Sequence, residues 1–237
     1  SIGRGRSGST VKNEINFSFC IITDNSLEAC KRISQIISTI REQKIPNYEV
    51  IIIGGLGNKF SGNMENVIKV DFDEKIKTAW VSRKKNEAAK LAKFENLVIM
   101  HDYFILHKNW YHGYLKIFEE FKKCQVCCNP LFMIDDRRDY ADWVTWDHPK
   151  LGMSKALSYA DQENTKFQYI HGAYFVVKKD FFLRNPLNEE YVHGEPEDVE
   201  WSLRIRDEAK IILNPHSYCK HNKRHKHTEI SVWHQLN

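Results

Sequence analysis

Two short stretches carry side chains whose types and spacing could do chemistry. The first is Glu197-Asp198, inside His193-Gly194-Glu195-Pro196-Glu197-Asp198. Acids in the first turn of a helix are favoured by its dipole. A close carboxylate pair also raises the proton affinity of one member. The second is His101-Asp102-Tyr103, which ends the apolar run Leu97-Val98-Ile99-Met100. A carboxylate and an imidazole there would stand at the carboxyl edge of a parallel sheet, where open α/β folds bind ligands. An ordinary strand end with a polar turn is the plain alternative. A third group is basic. Arg83, Lys84 and Asn86 fall in the first turns of a helix, where they hold a phosphate or form a solvated face. The tail adds His216, His221, His225, His227 and His234.

These groups need elements to position them. Asn16 to Thr23 is β-rich and ends at Asp24-Asn25-Ser26, where Asn25 or Ser26 can cap a helix. That helix carries Cys30, Ile33, Ile36, Ile37 and Ile40 at helical spacing and stops before Pro46. Tyr48 to Ile53 is the next strand, so the start of the chain reads as a right-handed parallel unit. Gly54, Gly55 and Gly57 follow; their spacing departs from GxGxxG, and a tight turn is the expectation. Asn66 to Phe72 predicts a strand, Ser82 to Ala92 a helix, Asn96 to Met100 a strand and Tyr111 to Lys123 a helix. Cys124 to Met133 reads as a strand interrupted by Pro130. Ile134 to Tyr159 is irregular, and its Asp135, Asp136, Arg137, Arg138, Trp143, Trp146 and His148 either meet a sugar or pack the loop. Phe167 to Val177 predicts a strand pair around a glycine, a short helix lies within Lys178 to Arg184, a helix starts at Glu197, and Ala209 to Leu213 is the last expected strand.

The 237 residues and net charge of +4, with both signs interspersed, argue against a nucleic-acid binder, which would show a basic stripe. Neither a signal peptide nor an apolar run long enough to span a bilayer is present, so a cytoplasmic setting is expected. Cys20 and Cys219 read as small core hydrophobes. Cys124, Cys127 and Cys128 include a CxxC spacing, without a second ligand pair at zinc-finger distance. Residues 1–14 are Gly/Ser-rich and basic and are expected to be a flexible tail, leaving 15–237 as one domain.

The order of these pieces, from Phe17 to about His221, resembles a family 2 glycosyltransferase with the GT-A fold. The residues that carry it are YEVIII, the basic segment ending in Asn86, the strand ending in acid, HGAYFVVKKDFF, GEPEDVEWSLRIRD and NPHSYCKH. The resemblance implies an α/β fold: a single Rossmann-like domain with a mostly parallel central sheet, flanking helices and a small antiparallel portion. The nucleotide-binding half is then about 15–110 and the acceptor-binding half about 111–237. It implies an inverting, metal-dependent transferase of the hexosyl or deoxyhexosyl class, working on a nucleotide-diphosphate sugar (a UDP-sugar is favoured) and a glycan or other hydroxyl acceptor.

Carried over residue by residue, the resemblance makes Asp198 the base with Glu197 beside it. Thr23, Asp24, Asn25, Gly54, Arg83, Asn86, His101 and Asp102 approach the donor, and His171, Gly172, Ala173 and Trp201 approach the sugar and acceptor. Asp102 and His221 would hold a divalent metal, Mn2+ or Mg2+, with His216, His225 and His227 as rivals to His221. The chain departs from the family where two acids are usual, because His101, Asp102 and Tyr103 supply one carboxylate. That departure supports a second reading, a non-catalytic nucleotide-sugar or glycan binder with a degenerate metal motif. A histidine- and cysteine-rich metal-binding protein is a third, weakened by the scatter of its ligands over different elements.

Overall fold

Strands whose apolar runs are too continuous to alternate with polar residues must be covered on both faces. The computed structural model, which describes residues 14–57 and 59–225, has this arrangement. The elements, in chain order, are β1 (Phe17–Ile22), α1 (Leu27–Glu42), β2 (Tyr48–Ile53), β3 (Val67–Val70), α2 (Val81–Leu91), β4 (Asn96–His101), β5 (Phe104–Leu106), α3 (Trp110–Glu120) and β6 (Val126–Cys128). They continue with β7 (Leu131–Phe132), β8 (Val144–Thr145), β9 (Gln168–Tyr169), β10 (Tyr174–Lys178), α4 (Lys179–Arg184), α5 (Glu197–Ile205), β11 (Ile211–Leu213) and β12 (Cys219–His221). Of the expected tail only Glu14 falls among the described residues, and His227 and His234 lie outside them.

The main sheet runs β11-β6-β10-β4-β1-β2-β3. β1 is parallel to β2 and β4, β2 to β3, and β6 to β11. β10 alone is antiparallel to its neighbours β4 and β6. Alternate strand residues feed two cores. Phe17, Phe19, Ile21, Val98 and Met100 pack with α1 and α3, while Cys20, Ile22, Leu97 and Ile99 pack with α2, α4 and α5. The expected mostly parallel sheet flanked by helices, with a small antiparallel portion, is the architecture found.

Local chemistry sets the ends of the elements. Ser26 caps α1 by accepting from the Ala29 amide at 3.1 Å, while Asn25 turns the chain into it with φ +64°. The turn after β2 requires its glycines. A Cβ on Gly54 would lie 1.8 Å from the Thr23 carbonyl oxygen, at φ +145°. Cys127 and Cys128 are successive residues of β6 and enter opposite cores, which accounts for part of the cysteine cluster by strand alternation.

Three expectations need correction. Ile211–Leu213 is not the last strand, because Cys219–His221 follows and lies between β5 and β7 in a small separate sheet. The glycine-centred strand pair is divided: β9 joins β8, whereas β10 enters the main sheet. In the irregular segment, Trp143 is fully buried, Trp146 packs on Tyr169, and the His148 imidazole pairs with Asn164 at 2.8 Å. The packing reading applies to these three residues.

Candidate active site

Antiparallel insertion of β10 brings the two chemical stretches together. Tyr174 pairs with Met100, so the residues before β10 meet the carboxyl end of β4. The His101 amide donates to the Ala173 carbonyl at 2.9 Å. His171, Gly172 and Ala173 are thereby set beside His101, and the start of α5 closes on Gly172. The Gly172 amide donates to Asp198 Oδ2 at 3.2 Å. A Cβ at Gly172 would meet Glu197 Oε1 at 2.9 Å and Asp198 Oδ2 at 3.2 Å, so the absent side chain is what lets the acids approach.

The two acids are held differently. Glu197 accepts from Lys85 Nζ at 3.2 Å, and the same ammonium donates to the Gly172 carbonyl at 2.7 Å. Lys85 is fully buried. Asp198 receives its hydrogen bonds from backbone amides, Gly172 and Val199. Burial, and after it the charge of Glu197, push its carboxyl up to about 6. A carboxylate near neutrality beside a charge-compensated partner can take a proton from a hydroxyl.

Lys84 and Lys85 face inward, Lys84 bonding to Glu74 at 2.6 Å. Arg83 is two-fifths exposed and pairs with Glu87 and Glu189. Asn86 is buried and serves the loop before α5, donating to Leu187 and Glu189 and accepting from the Leu187 amide. Trp201 needs correction as a sugar-contacting residue. It is fully buried among Phe175, Phe181 and Phe182, and its indole N–H donates to the Asn185 carbonyl at 2.6 Å. Trp201 lies one turn after buried Glu197 and one turn before buried Ile205, on the core-facing stripe of α5.

At the other end of the cleft, Thr23 Oγ1 donates to Asp102 Oδ2 at 2.8 Å, tying β1 to β4. Asp24 is exposed and accepts from the Ser26 amide at 2.9 Å. Asn25 grips the glycine turn, accepting from the Lys59 amide at 2.8 Å and donating to Leu56 and Gly57 carbonyls. Gly54 and Gly55 make the turn after β2 and bring no side chain there. Glu74, arriving after β3, accepts from the Gly55 amide at 3.4 Å and brings a carboxylate to that neighbourhood.

The proposed metal ligands, Asp102 and His221, are committed elsewhere. Asp102 is buried, with Oδ1 paired to the Arg32 guanidinium at 3.2 Å and Oδ2 held by Thr23. Arg32 Nε also donates to the Asp102 carbonyl at 3.0 Å. A dication at this carboxylate would have to displace a like-charged guanidinium. His221 Nε2 is 2.7 Å from Asp139 Oδ2 and its Nδ1 is 2.9 Å from His225 Nε2, so both nitrogens are used. Tyr103 lies over His221 with ring centroids 5.2 Å apart. Among the described residues no group of three or more His, Cys, Asp or Glu side chains could hold a metal ion. The residues present do not fit a bound divalent cation in this arrangement.

Asp139, Arg32 and Glu74 were not singled out by the sequence. Asp139 is the centre of a buried relay, accepting from His221 and also from His171 Nε2 at 3.1 Å. Burial opposes its charge, but the two imidazoles hold it well below the usual carboxylate range. In turn burial opposes the charged form of His171, and Asp139 raises it. The one signal for Asp139 was its place in a long irregular segment rich in charge.

No protein-family model matches the sequence, and neither does any curated protein. Solved structures do match in shape. S. aureus TarS 1-349 superposes with a TM-score of 0.61 at 12% identity, over 86% of this chain and 60% of that one. TarS 1-349 in complex with UDP-GlcNAc gives 0.60 at 14% identity, over 92% and 61%. GalNAc-T7 with UDP, GalNAc and Mn2+ gives 0.63 at 14% identity, over 90% and 44%. The chain therefore spans about six tenths of TarS 1-349 and under half of GalNAc-T7. At these identities the likeness is one of backbone architecture, and the chain has the fold of the GT-A glycosyltransferases.

Proposed function

We propose that the chain is an inverting glycosyltransferase that moves a hexosyl or deoxyhexosyl group from a nucleotide-diphosphate sugar, a UDP-sugar by preference, to a hydroxyl of a glycan or other acceptor. The observation that carries this reading is the Asp198 carboxylate. It is held against Gly172 by backbone amides, flanked by the Glu197–Lys85 pair, and raised to about 6. The UDP-GlcNAc and UDP complexes of the structural neighbours support the donor class. Asp198 takes the proton of the acceptor hydroxyl as its oxygen attacks the anomeric carbon. The bond from that carbon to the diphosphate oxygen breaks in the same step, and the configuration inverts. Glu197 holds Lys85, and Lys85 holds the Gly172 carbonyl, so this pair positions the base. Residues 15–110 then form the donor half, ending at Thr23 and Asp102, and 111–237 the acceptor half.

The test is transfer or hydrolysis of UDP-sugars by the native chain and by Asp198→Asn. The variant is expected to bind donor within about twofold of native and to lose transfer by about a thousandfold. Near-native turnover would remove Asp198 from the role of base.

A second reading, a binding protein for nucleotide sugars without transfer, is favoured by one observation. Asp102, the sole carboxylate at the end of β4, is neutralised by Arg32. Donor binding with no turnover of any sugar in the native chain would select it.

A further inference from the structure

We propose that the donor's diphosphate is held by imidazoles at the end of β4, His101 foremost with His193 facing it, and that donor binding needs no divalent cation. This rests on the donor reading above and gives the diphosphate subsite its chemistry.

Three observations lead there. The first is the character of the strand end. A divalent cation wants several anionic oxygens free to coordinate it. The strand end offers an imidazole, a carboxylate already paired with Arg32, and a phenol ring packed against His221 and His225.

The second is an unpartnered polar atom. His101 Nε2 is buried and has no hydrogen-bond partner. Such an atom carries a desolvation penalty until something bonds to it. It belongs to a half-buried ring at the carboxyl end of β4, between the Thr23–Asp102 link and the residues before β10.

The third is the sign of the surroundings. Lys85 Nζ reaches the Gly172 carbonyl, one residue before the Ala173 carbonyl that receives the His101 amide, so a cation stands close to the strand end. A partner for an N–H in such a cation-lined place is an anionic acceptor, and a phosphate oxygen is one. His193 is exposed on the loop ahead of α5, with its ring centroid 6.2 Å from that of His101. A group bound at His101 Nε2 would meet it next.

The experiment compares UDP with uridine, the same base and ribose without phosphate, by calorimetric titration of the full chain in EDTA and in manganese. UDP is expected to bind at least about tenfold more tightly than uridine in EDTA, with manganese changing its Kd by less than about twofold. His101→Ala is expected to weaken UDP by about tenfold and leave uridine unchanged, and His193→Ala to weaken UDP by a smaller factor. If His101→Ala fails to fold, as judged by its thermal melt, His193→Ala and His101→Gln carry the same comparison. Loss confined to UDP supports the inference. Equal loss of UDP and uridine, or no loss at all, overturns it. UDP binding that appears only with manganese overturns the inference and leaves the donor reading standing. Absence of binding by UDP and uridine in both buffers overturns the donor reading, and the inference with it.

Discussion

At Asp198, burial and the neighbouring Glu197 charge push the carboxyl up to about 6, and this has two measurable consequences. The base works only when ionised, so transfer should rise with pH to a plateau, with its half-point at about 6. The sign for stability is opposite. The folded chain keeps this proton to higher pH than the unfolded chain, so stability is full below the ordinary carboxylate value and falls as pH rises through about 6. Asp198→Asn should therefore stabilise the fold at pH 7, by on the order of 2 kcal/mol, while abolishing transfer. Denaturant titration at pH 4 and pH 7 checks it: the gain should appear at pH 7 and shrink at pH 4. The acidic pair was readable because a turn glycine, two acids and a helix start leave few other uses. The cation beside it was not. Arg83 and Lys85 differ by two helical steps, about 200° around the axis, and without the partner elements nothing fixes which faces inward.

Glycines decide how closely elements approach. Gly172→Ala would push a methyl group into Glu197 and Asp198 at the junction of β10 and α5. The fold should persist, since α5 can withdraw slightly, but displacing the base by a fraction of an ångström should lower kcat by about a hundredfold. A steady-state assay with a thermal melt as control separates the two effects. Gly54→Ala is a different case, because its Cβ would strike the Thr23 backbone at the junction of β1 and β2. It should destabilise the chain by about 3 kcal/mol or more, visible as a lower denaturation midpoint. The long elements were legible in the sequence because burial on two faces or one leaves a periodic trace. β7, β8 and β9 have two residues each and β5 and β12 three, too few for a period to register. That is why the strand carrying His221 was read as tail, although the family resemblance singled out the residue itself.

Across the whole molecule, the Asp139 relay joins the small sheet to the main one. His221 belongs to β12, and His171 precedes β10. Asp139 has a lowered folded pKa, so its contribution is present above the ordinary carboxylate value and lost as pH falls. His171 has a raised one, so its contribution is full below the ordinary histidine value and lost as pH rises through the folded value. Both are present together between about pH 4 and 6.5. Asp139→Asn should therefore cost about 3 kcal/mol at pH 5.5, and less at pH 9, in denaturant unfolding. An equal penalty at both would separate Asp139 from His171. The fold was legible at this scale because element order fixes sheet order for parallel crossovers. The site was legible only in part, since Thr23 and Arg32, which hold Asp102, and Asp139, which holds His221, come from segments far away in the chain. The Arg32–Asp102 pair also bears on how this chain could change. Replacing Tyr103 by a second acid would set a carboxylate among Phe104, His221 and His225, beside an Asp102 still neutralised by Arg32. A metal-binding strand end would need changes at both Tyr103 and Arg32, so no single substitution creates one.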